Sequence, residues 1–355
     1  MKIVTVVGAR PQFVKAGIVS MKLKAYREIH QVLLHTGQHF DMNMSDIFFR
    51  ELDMPSPDYY LNIHNLDHGA MTGRMLEGIE KILIKEAPDY CMVYGDTDST
   101  LAGALAARKI NIKVIHIEAG LRSYNMKMPE EINRIITDRI SDVLFCPTPV
   151  AVNNLEGEGF GQFSSSVYLS GDVMEDAARF FYKKSIQTVP VSIFPSRPYI
   201  LVTLHRAENT DNPSNLSSII SALNKLSEQY RIVLPLHPRT GKFIKEYGIN
   251  LKFNVTEPVG YFEMLALISR ASLVMTDSGG LQKEAFFFRK FCITLREETE
   301  WIELIENGYN FLAGSSTELI IDSAIKYVDK EIKDPINLYG NGKASDYICG
   351  ILSKL

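Results

Sequence analysis

The densest chemistry in this chain lies between residues 94 and 134. "YGDTDST" (94–100) places Asp96 at the end of one apolar run, and "HIEAG" (116–120) places Glu118 at the end of the next. Carboxylates on neighbouring strand ends repel each other, and burial adds to that effect, so one pKa can rise into the range of a general acid or base. "PEEINR" (129–134) adds Glu130, Glu131 and Arg134. Pro129 suits a first helical turn, both glutamates suit its positive end, and Arg134 is spaced to pair with Glu130. Thr97, Asp98 and Ser99 suit a helix cap, which accounts for one aspartate of the pair without requiring both.

Cationic and glycine-rich stretches recur at equivalent places. "GARPQFVK" (8–15) follows the first apolar run; it is neither GxGxxG nor a Walker A loop, yet Arg10 and Lys15 beside a helix start attract anions. "VTLHRAENTDN" (202–212) carries His205, Arg206 and Glu208, and "LHPRT" (236–240) carries a second pair, His237 and Arg239. In "TDSGGLQKEA" (276–285), Ser278, Gly279 and Gly280 open a helix whose bare N–H groups can approach a phosphate, and Glu284 one turn on can accept from ribose hydroxyls. "LREETEW" (295–301) contributes Arg296 and Glu300. These clusters describe an enzyme for a nucleotide diphosphate-linked substrate, with acid/base groups in the first half and no metal constellation.

The elements that would position them alternate. Short apolar runs at 2–7, 31–36, 90–95, 113–118 and 142–147 are each followed by helix-length segments, and runs at 199–205, 231–237, 272–280 and 290–296 repeat the rhythm. That alternation predicts βα units on parallel sheets, hence an α/β chain of two Rossmann-like domains facing a cleft, with ligands outside the strand C-termini. Expected boundaries are 1–170 for the acid/base domain, 171–198 for the connection and 199–340 for the nucleotide domain. A terminal helix at about 342–355 is expected to pack back on the first domain.

At 355 residues the chain exceeds the size at which one core stops growing. Apolar residues at 46% and charged residues at 23% are ordinary for a globular protein, and a net charge of -4 argues against a nucleic-acid partner. The 4 cysteines are widely spaced, which suggests neither a zinc site nor a disulfide framework. No run approaches 18 uninterrupted apolar residues, so a cytoplasmic protein without membrane association is expected.

"GARPQFVKA", "GDTDST", "HIEAGLRS", "MPEEINR", "TLHRAEN" and "TDSGGLQKEA", in this order, closely resemble the non-hydrolysing UDP-N-acetylglucosamine 2-epimerases. The resemblance implies the GT-B arrangement, a homodimer, no cofactor, and C2 inversion of a UDP-2-acetamido sugar by elimination and re-addition of UDP, for surface polysaccharide precursors. It assigns Asp96, Glu118, Glu130 and His205 to catalysis. Arg10, Lys15, Arg134, His237, Arg239, Ser278, Gly279, Gly280, Glu284 and Arg296 fall to substrate and UDP binding, and Gln38, His39 and Arg74 to regulation. It also reduces Glu131 to a helix-dipole residue and makes Tyr124 to Met128 a candidate substrate loop. The alternatives are a hydrolysing 2-epimerase that releases UDP and a glycosyltransferase on the same architecture.

Departures bear on the sugar. "TEWIE" (299–303) has Trp301 where members acting on UDP-N-acetylglucosamine usually have arginine, and "QHFDMNM" (38–44) has Phe40 likewise. "LHPRT", "MPEEINR" and "KEAFFF" are closer to the branch acting on UDP-2,3-diacetamido-2,3-dideoxy-glucuronic acid, for which Arg239 is the expected contact of a sugar carboxylate.

Overall fold

The computed structural model describes residues 1–38, 56–190 and 198–355, with the side chain of Arg10 excepted; Arg10's side chain, His39 and Phe40 therefore lie outside the described residues. The chain divides into two compact units, Met1–Ala177 with Asn337–Leu355, and Ala178–Ile336.

The first unit is built on a seven-stranded sheet of β1 (Lys2–Val7), β2 (His30–His35), β3 (Tyr59–Tyr60), β4 (Tyr90–Tyr94), β5 (Lys113–Ile117), β6 (Val143–Cys146) and β7 (Ser166–Leu169), in the order β3-β2-β1-β4-β5-β6-β7. Every pairing is parallel. Strands buried on both faces need continuous apolar sequence rather than alternation, and β1 supplies it: Ile3, Val4, Val6 and Val7 are all fully buried. Val4 and Val6 pack with Met75 and Ile79 of the helix His68–Glu86 and with Ala102 and Ala106 of the helix Asp98–Lys109. The chain leaves β1 towards β2 and β3 and then crosses to β4 on β1's other side, so the strand order reverses between β1 and β4. A crevice opens at such a reversal, outside the carboxyl ends of the two strands.

The second unit repeats the plan with β8 (Tyr199–Thr203), β9 (Arg231–Val233), β10 (Leu273–Thr276), β11 (Cys292–Thr294) and β12 (Asn310–Leu312), ordered β12-β11-β10-β8-β9 and parallel throughout. Its reversal lies between β8 and β10. The apolar runs located the central strands, whereas β3, β7 and β12 escaped the pattern. All three are sheet edges, and an edge strand has no need of the two-sided burial that writes an apolar run. No helix among the described residues is long and apolar enough to cross a membrane.

The terminal helix forms over Ala344–Leu352 and buries Ile348, Cys349 and Leu352 within the first unit. Its start is capped from a distance. The Asp176 carboxylate accepts from the N–H of Ala344 (3.1 Å) and from the N–H (2.6 Å) and hydroxyl (2.5 Å) of Ser345, while Lys22 pairs with Asp346 at 2.8 Å. Asp176→Ala strands these donors. It is expected to cost about 1–2 kcal/mol, read as a lowered urea midpoint, and an unchanged midpoint would refute the capping role.

Candidate active site

The first unit's reversal point holds a pocket of about 190 Å³ lined by Ala9, Gln12 and Lys15 after β1, by Gly95, Asp96 and Asp98 after β4, and by Glu130 and Asn133 from the helix Pro129–Ile140. Gln38 and His68 complete the rim. Gln12 fastens the two loops together: its amide nitrogen donates to the Tyr94 carbonyl (2.8 Å) and Thr100 hydroxyl (2.9 Å), and its amide oxygen accepts from the N–H of Gly8 (2.8 Å) and Ala9 (3.0 Å). With all of these partners buried, the end of β1 is fixed against the end of β4.

Glu118 occupies left-handed backbone, φ 71°, a conformation that costs a residue other than glycine on the order of 1–3 kcal/mol. Its surroundings force that turn. The N–H groups of Glu118 (3.1 Å) and Ala119 (3.0 Å) both donate to the Phe145 carbonyl at the end of β6. The buried His116 ring spans from Asp138 through Nδ1 to the Gly95 carbonyl through Nε2, each at 2.7 Å. Gly120, at φ 79°, tolerates no side chain, because a Cβ there would stand 2.4 Å from the Ala151 carbonyl oxygen. So directed, the Glu118 carboxylate pairs with the Lys15 ammonium, and both side chains are nearly buried. Glu118 thus reaches the pocket through Lys15 and Gly95 rather than lining it.

Asp96 accepts from Arg134 through Nε (3.0 Å) and Nη2 (2.7 Å), and the Asp96 carbonyl accepts from Asn133 at 2.9 Å. The expected Arg134–Glu130 pair does not form. Arg134 instead joins Asp96 to Glu131, leaving Glu130 exposed at the pocket with no hydrogen bond among the described residues. Glu131 is no surface dipole residue, because it is fully buried and holds the preceding loop by accepting from the N–H of Ser123 (2.9 Å) and Tyr124 (2.8 Å) and from the Ser123 hydroxyl (3.0 Å). Burial pushes its carboxyl up, but these donors and the Arg134 charge outweigh burial and hold it below the usual carboxylate range. Asp138 behaves alike: burial raises it, and the charges of His116 and Arg122 bring it below its usual value. Tyr124 and Met126 are exposed and do not line the pocket. Gln38 does line it, with its amide oxygen accepting from the Ser99 N–H (3.1 Å) and hydroxyl (2.7 Å), whereas Arg74 lies on the exposed face of its helix.

In the second unit, His205 and Arg206 leave β8 and Ser278 leaves β10, again at the reversal. The buried Asp277 carboxylate binds the turn by accepting from the N–H of His205 and of Arg206, both at 2.9 Å, and it lies 3.3 Å from the His205 ring. The His205 and His237 rings are 5.7 Å apart, and His237 caps the helix Pro238–Glu246 by accepting from the Arg239 N–H. Arg239 stands in an exposed pair, its Nη2 donating to Asp211 at 2.6 Å and its Nε to Thr210 at 3.1 Å.

Ser278 precedes the helix Gly279–Phe287 without capping it through its side chain. A Cβ on Gly279 would come 2.5 Å from Glu300 Oε1, whereas Gly280 faces open space. Glu300 in turn accepts from Arg296 Nη1 at 3.0 Å, and the Nε and Nη2 of this buried arginine find no partner among the described residues. Two orphaned donors on a buried cation call for an acceptor. Trp301 is buried, with the Lys283 ammonium 3.7 Å from its ring centroid, so a cation remains beside the position usually held by arginine. Glu284 is buried against Tyr261; burial and the Glu284 charge push that phenol well above 10.

Asn133, Gln12 and Asp277 were passed over in the sequence, although Asn133 sits three residues after Glu130 on the same helical face and Asp277 directly precedes the Ser-Gly-Gly run.

The family model described as UDP-N-acetylglucosamine 2-epimerase matches residues 21–353. Over the whole of both chains, the protein is 53% identical to the UDP-2,3-diacetamido-2,3-dideoxy-D-glucuronate 2-epimerase of Pseudomonas aeruginosa. Among solved structures it resembles Methanocaldococcus jannaschii UDP-GlcNAc 2-epimerase in complex with UDP-GlcNAc and UDP, with TM-score 0.92, 41% identity and 100% of each chain covered. The Neisseria meningitidis UDP-GlcNAc 2-epimerase bound to UDP-GlcNAc follows with TM-score 0.89, 32% identity and the same coverage.

The depressed carboxyl of Glu131 sets a pH dependence. A folded-state pKa below the unfolded value of about 4.3 stabilises the fold at all pH above that value, and the contribution disappears as pH falls through the folded pKa. Glu131→Gln should lower the urea midpoint near pH 7, and the difference from the parent should shrink as pH falls below the unfolded value and through the depressed folded one. A difference constant across that range would refute the assignment.

Proposed function

The chain belongs to the UDP-N-acetylglucosamine 2-epimerase family, and from that premise we propose that it inverts C2 of a UDP-2-acetamido sugar without hydrolysing it. The observation that carries this reading is the first unit's pocket, where Asp96, Glu130 and the Lys15–Glu118 pair gather at one reversal point. Epimerisation needs a proton removed from one face of C2 and returned to the other, so it calls for more than one carboxyl group around a single carbon.

In the first step a carboxylate takes the C2 proton while the C1–O bond to UDP breaks and its electron pair leaves with UDP, giving a 2-acetamidoglucal-type intermediate. In the second, a carboxyl protonates C2 from the opposite face and UDP re-adds at C1, so nothing is consumed. Glu118, backed by Lys15, and Asp96, backed by Arg134, are oriented for proton transfer, while Glu130 is the acid that no neighbour neutralises. Lys15 and Arg134 also offset repulsion that three carboxylates would otherwise suffer.

The second unit holds UDP. The Gly279–Gly280 N-terminus offers bare N–H groups to the diphosphate, His205 stands at the same reversal point, and the orphaned donors of Arg296 await a ligand oxygen. Trp301 in place of arginine, together with the 53% identity to the diacetamido-glucuronate enzyme, favours UDP-2,3-diacetamido-2,3-dideoxyglucuronate as the substrate over UDP-N-acetylglucosamine.

Incubation with each UDP-sugar in D₂O should place deuterium at C2 and leave UDP bound to sugar. No deuterium with either substrate would sink the proposal, and stoichiometric free UDP would convert it to a hydrolase. Glu118→Gln should lose at least about a hundredfold in turnover while retaining UDP affinity. Arg296→Gln should weaken UDP binding by about tenfold in calorimetry.

A further inference from the structure

One pair at the mouth of the first pocket has no part in the proton transfers. His68, the first residue of the helix His68–Glu86, sets Nδ1 3.1 Å from Asp98 Oδ2. Both residues line the pocket, but unequally: the His68 side chain is 73% exposed and that of Asp98 only 10%. Asp98 Oδ1 lies 3.4 Å from the amide nitrogen of Asn133, the same nitrogen that donates to the Asp96 carbonyl. The carboxylate is therefore fixed to the pocket wall and holds one edge of an imidazole whose other edge is open.

Resting on the epimerase reading, we propose that His68 is a specificity-determining residue that binds the sugar carboxylate of a uronate substrate through Nε2, with Asp98 as its positioning partner. A carboxylate-held Nδ1 must donate, so the ring's remaining nitrogen is the one offered to the ligand. An imidazolium ring between Asp98 and a ligand carboxylate donates at both ends, giving a charge-assisted bond to each.

Charge balance at the pocket supports this choice. Asp96, Asp98 and Glu130 already line it, so a uronate would add a further negative charge. Of the cationic side chains described there, Lys15 is engaged by Glu118, whereas His68 has an exposed edge to give. Arg239, the candidate carboxylate contact from sequence, is not among the residues that line this pocket. The His68 side chain is itself largely exposed and contributes little to folding, which makes it replaceable without loss of the fold.

The test compares UDP-2,3-diacetamido-2,3-dideoxyglucuronate with its C6 alcohol, UDP-2,3-diacetamido-2,3-dideoxyglucose, which keeps both acetamido groups and lacks the carboxylate. C2 exchange in D₂O is followed for the parent, His68→Ala and His68→Arg. His68→Ala should lower kcat/KM for the uronate at least about tenfold more than for the alcohol, through KM, and His68→Arg should keep much of the preference because it restores a cation. Equal losses on both substrates, or no loss on the uronate, overturn the proposal while the parent's turnover leaves the epimerase reading standing. A parent that exchanges C2 of neither sugar removes that reading and this inference with it.

Discussion

The first unit's candidate site hangs on Asp138, a fully buried carboxylate that takes His116 Nδ1 at 2.7 Å, Arg122 Nη1 at 2.7 Å and the Gly120 N–H at 3.1 Å. Such a cluster is poor evidence for stability, because desolvating its charges offsets most of their attraction. What it does is define geometry. His116 extends from Asp138 to the Gly95 carbonyl, and Arg122 extends from it to the Glu158 carboxylate at 2.6 and 2.8 Å, so three loops are tied to one side chain. The turn that forces Glu118 into left-handed backbone runs between two of those ties. Backbone strain persists only where the surroundings over-determine it, and here a carbonyl shared by two N–H groups, a glycine with no room for a Cβ and a buried imidazole all do so.

Glu131 has the corresponding task about two turns earlier on the same helix. Three glutamates between 118 and 134 look interchangeable on paper, yet the fold grades them by partner: Glu118 to Lys15, Glu131 to an Arg134 it shares with Asp96, and Glu130 to solvent. The grading follows from helix geometry. Glu131 and Arg134 are separated by three residues on the side of the helix that faces the protein, while Glu130 is rotated towards the pocket mouth. A buried glutamate therefore spends its charge on holding Ser123, Tyr124 and Arg134, while the exposed one stays at the pocket.

How far the sequence could be read depended on whether a feature is local. Apolar runs are local, so the central strands and the residues leaving them were legible, including Asp96, Glu118, His205 and the Ser278 turn. Three of the four edge strands were not, because Tyr59–Tyr60, Ser166–Leu169 and Asn310–Leu312 are short and buried on one side at most, whereas the edge strand β9 still carries an apolar run. Partners distant in sequence were equally hidden. Nothing in "LHPRT" announces that Asp211 will occupy Arg239, and nothing in "PEEINR" says which glutamate is buried. Gln12 is the sharpest case, since a glutamine inside a helix start looks like surface until its amide is seen bridging the loops after β1 and β4.

The two units solve the same problem with different chemistry. Each has its candidate site where strand order reverses, and each uses a buried carboxylate to hold a histidine at or beside it: Asp138 with His116 of β5 in the first unit, Asp277 with His205 in the second. The difference lies in exposure. His116 is fully buried and spends both ring nitrogens on protein acceptors, so it can only position its neighbours. His205 keeps a side chain 40% exposed, and its Asp277 anchor is satisfied mostly through backbone N–H groups, which fixes where the ring stands without consuming it. The same residue pair is thus structural in one unit and available for chemistry in the other, and burial decides between the two roles.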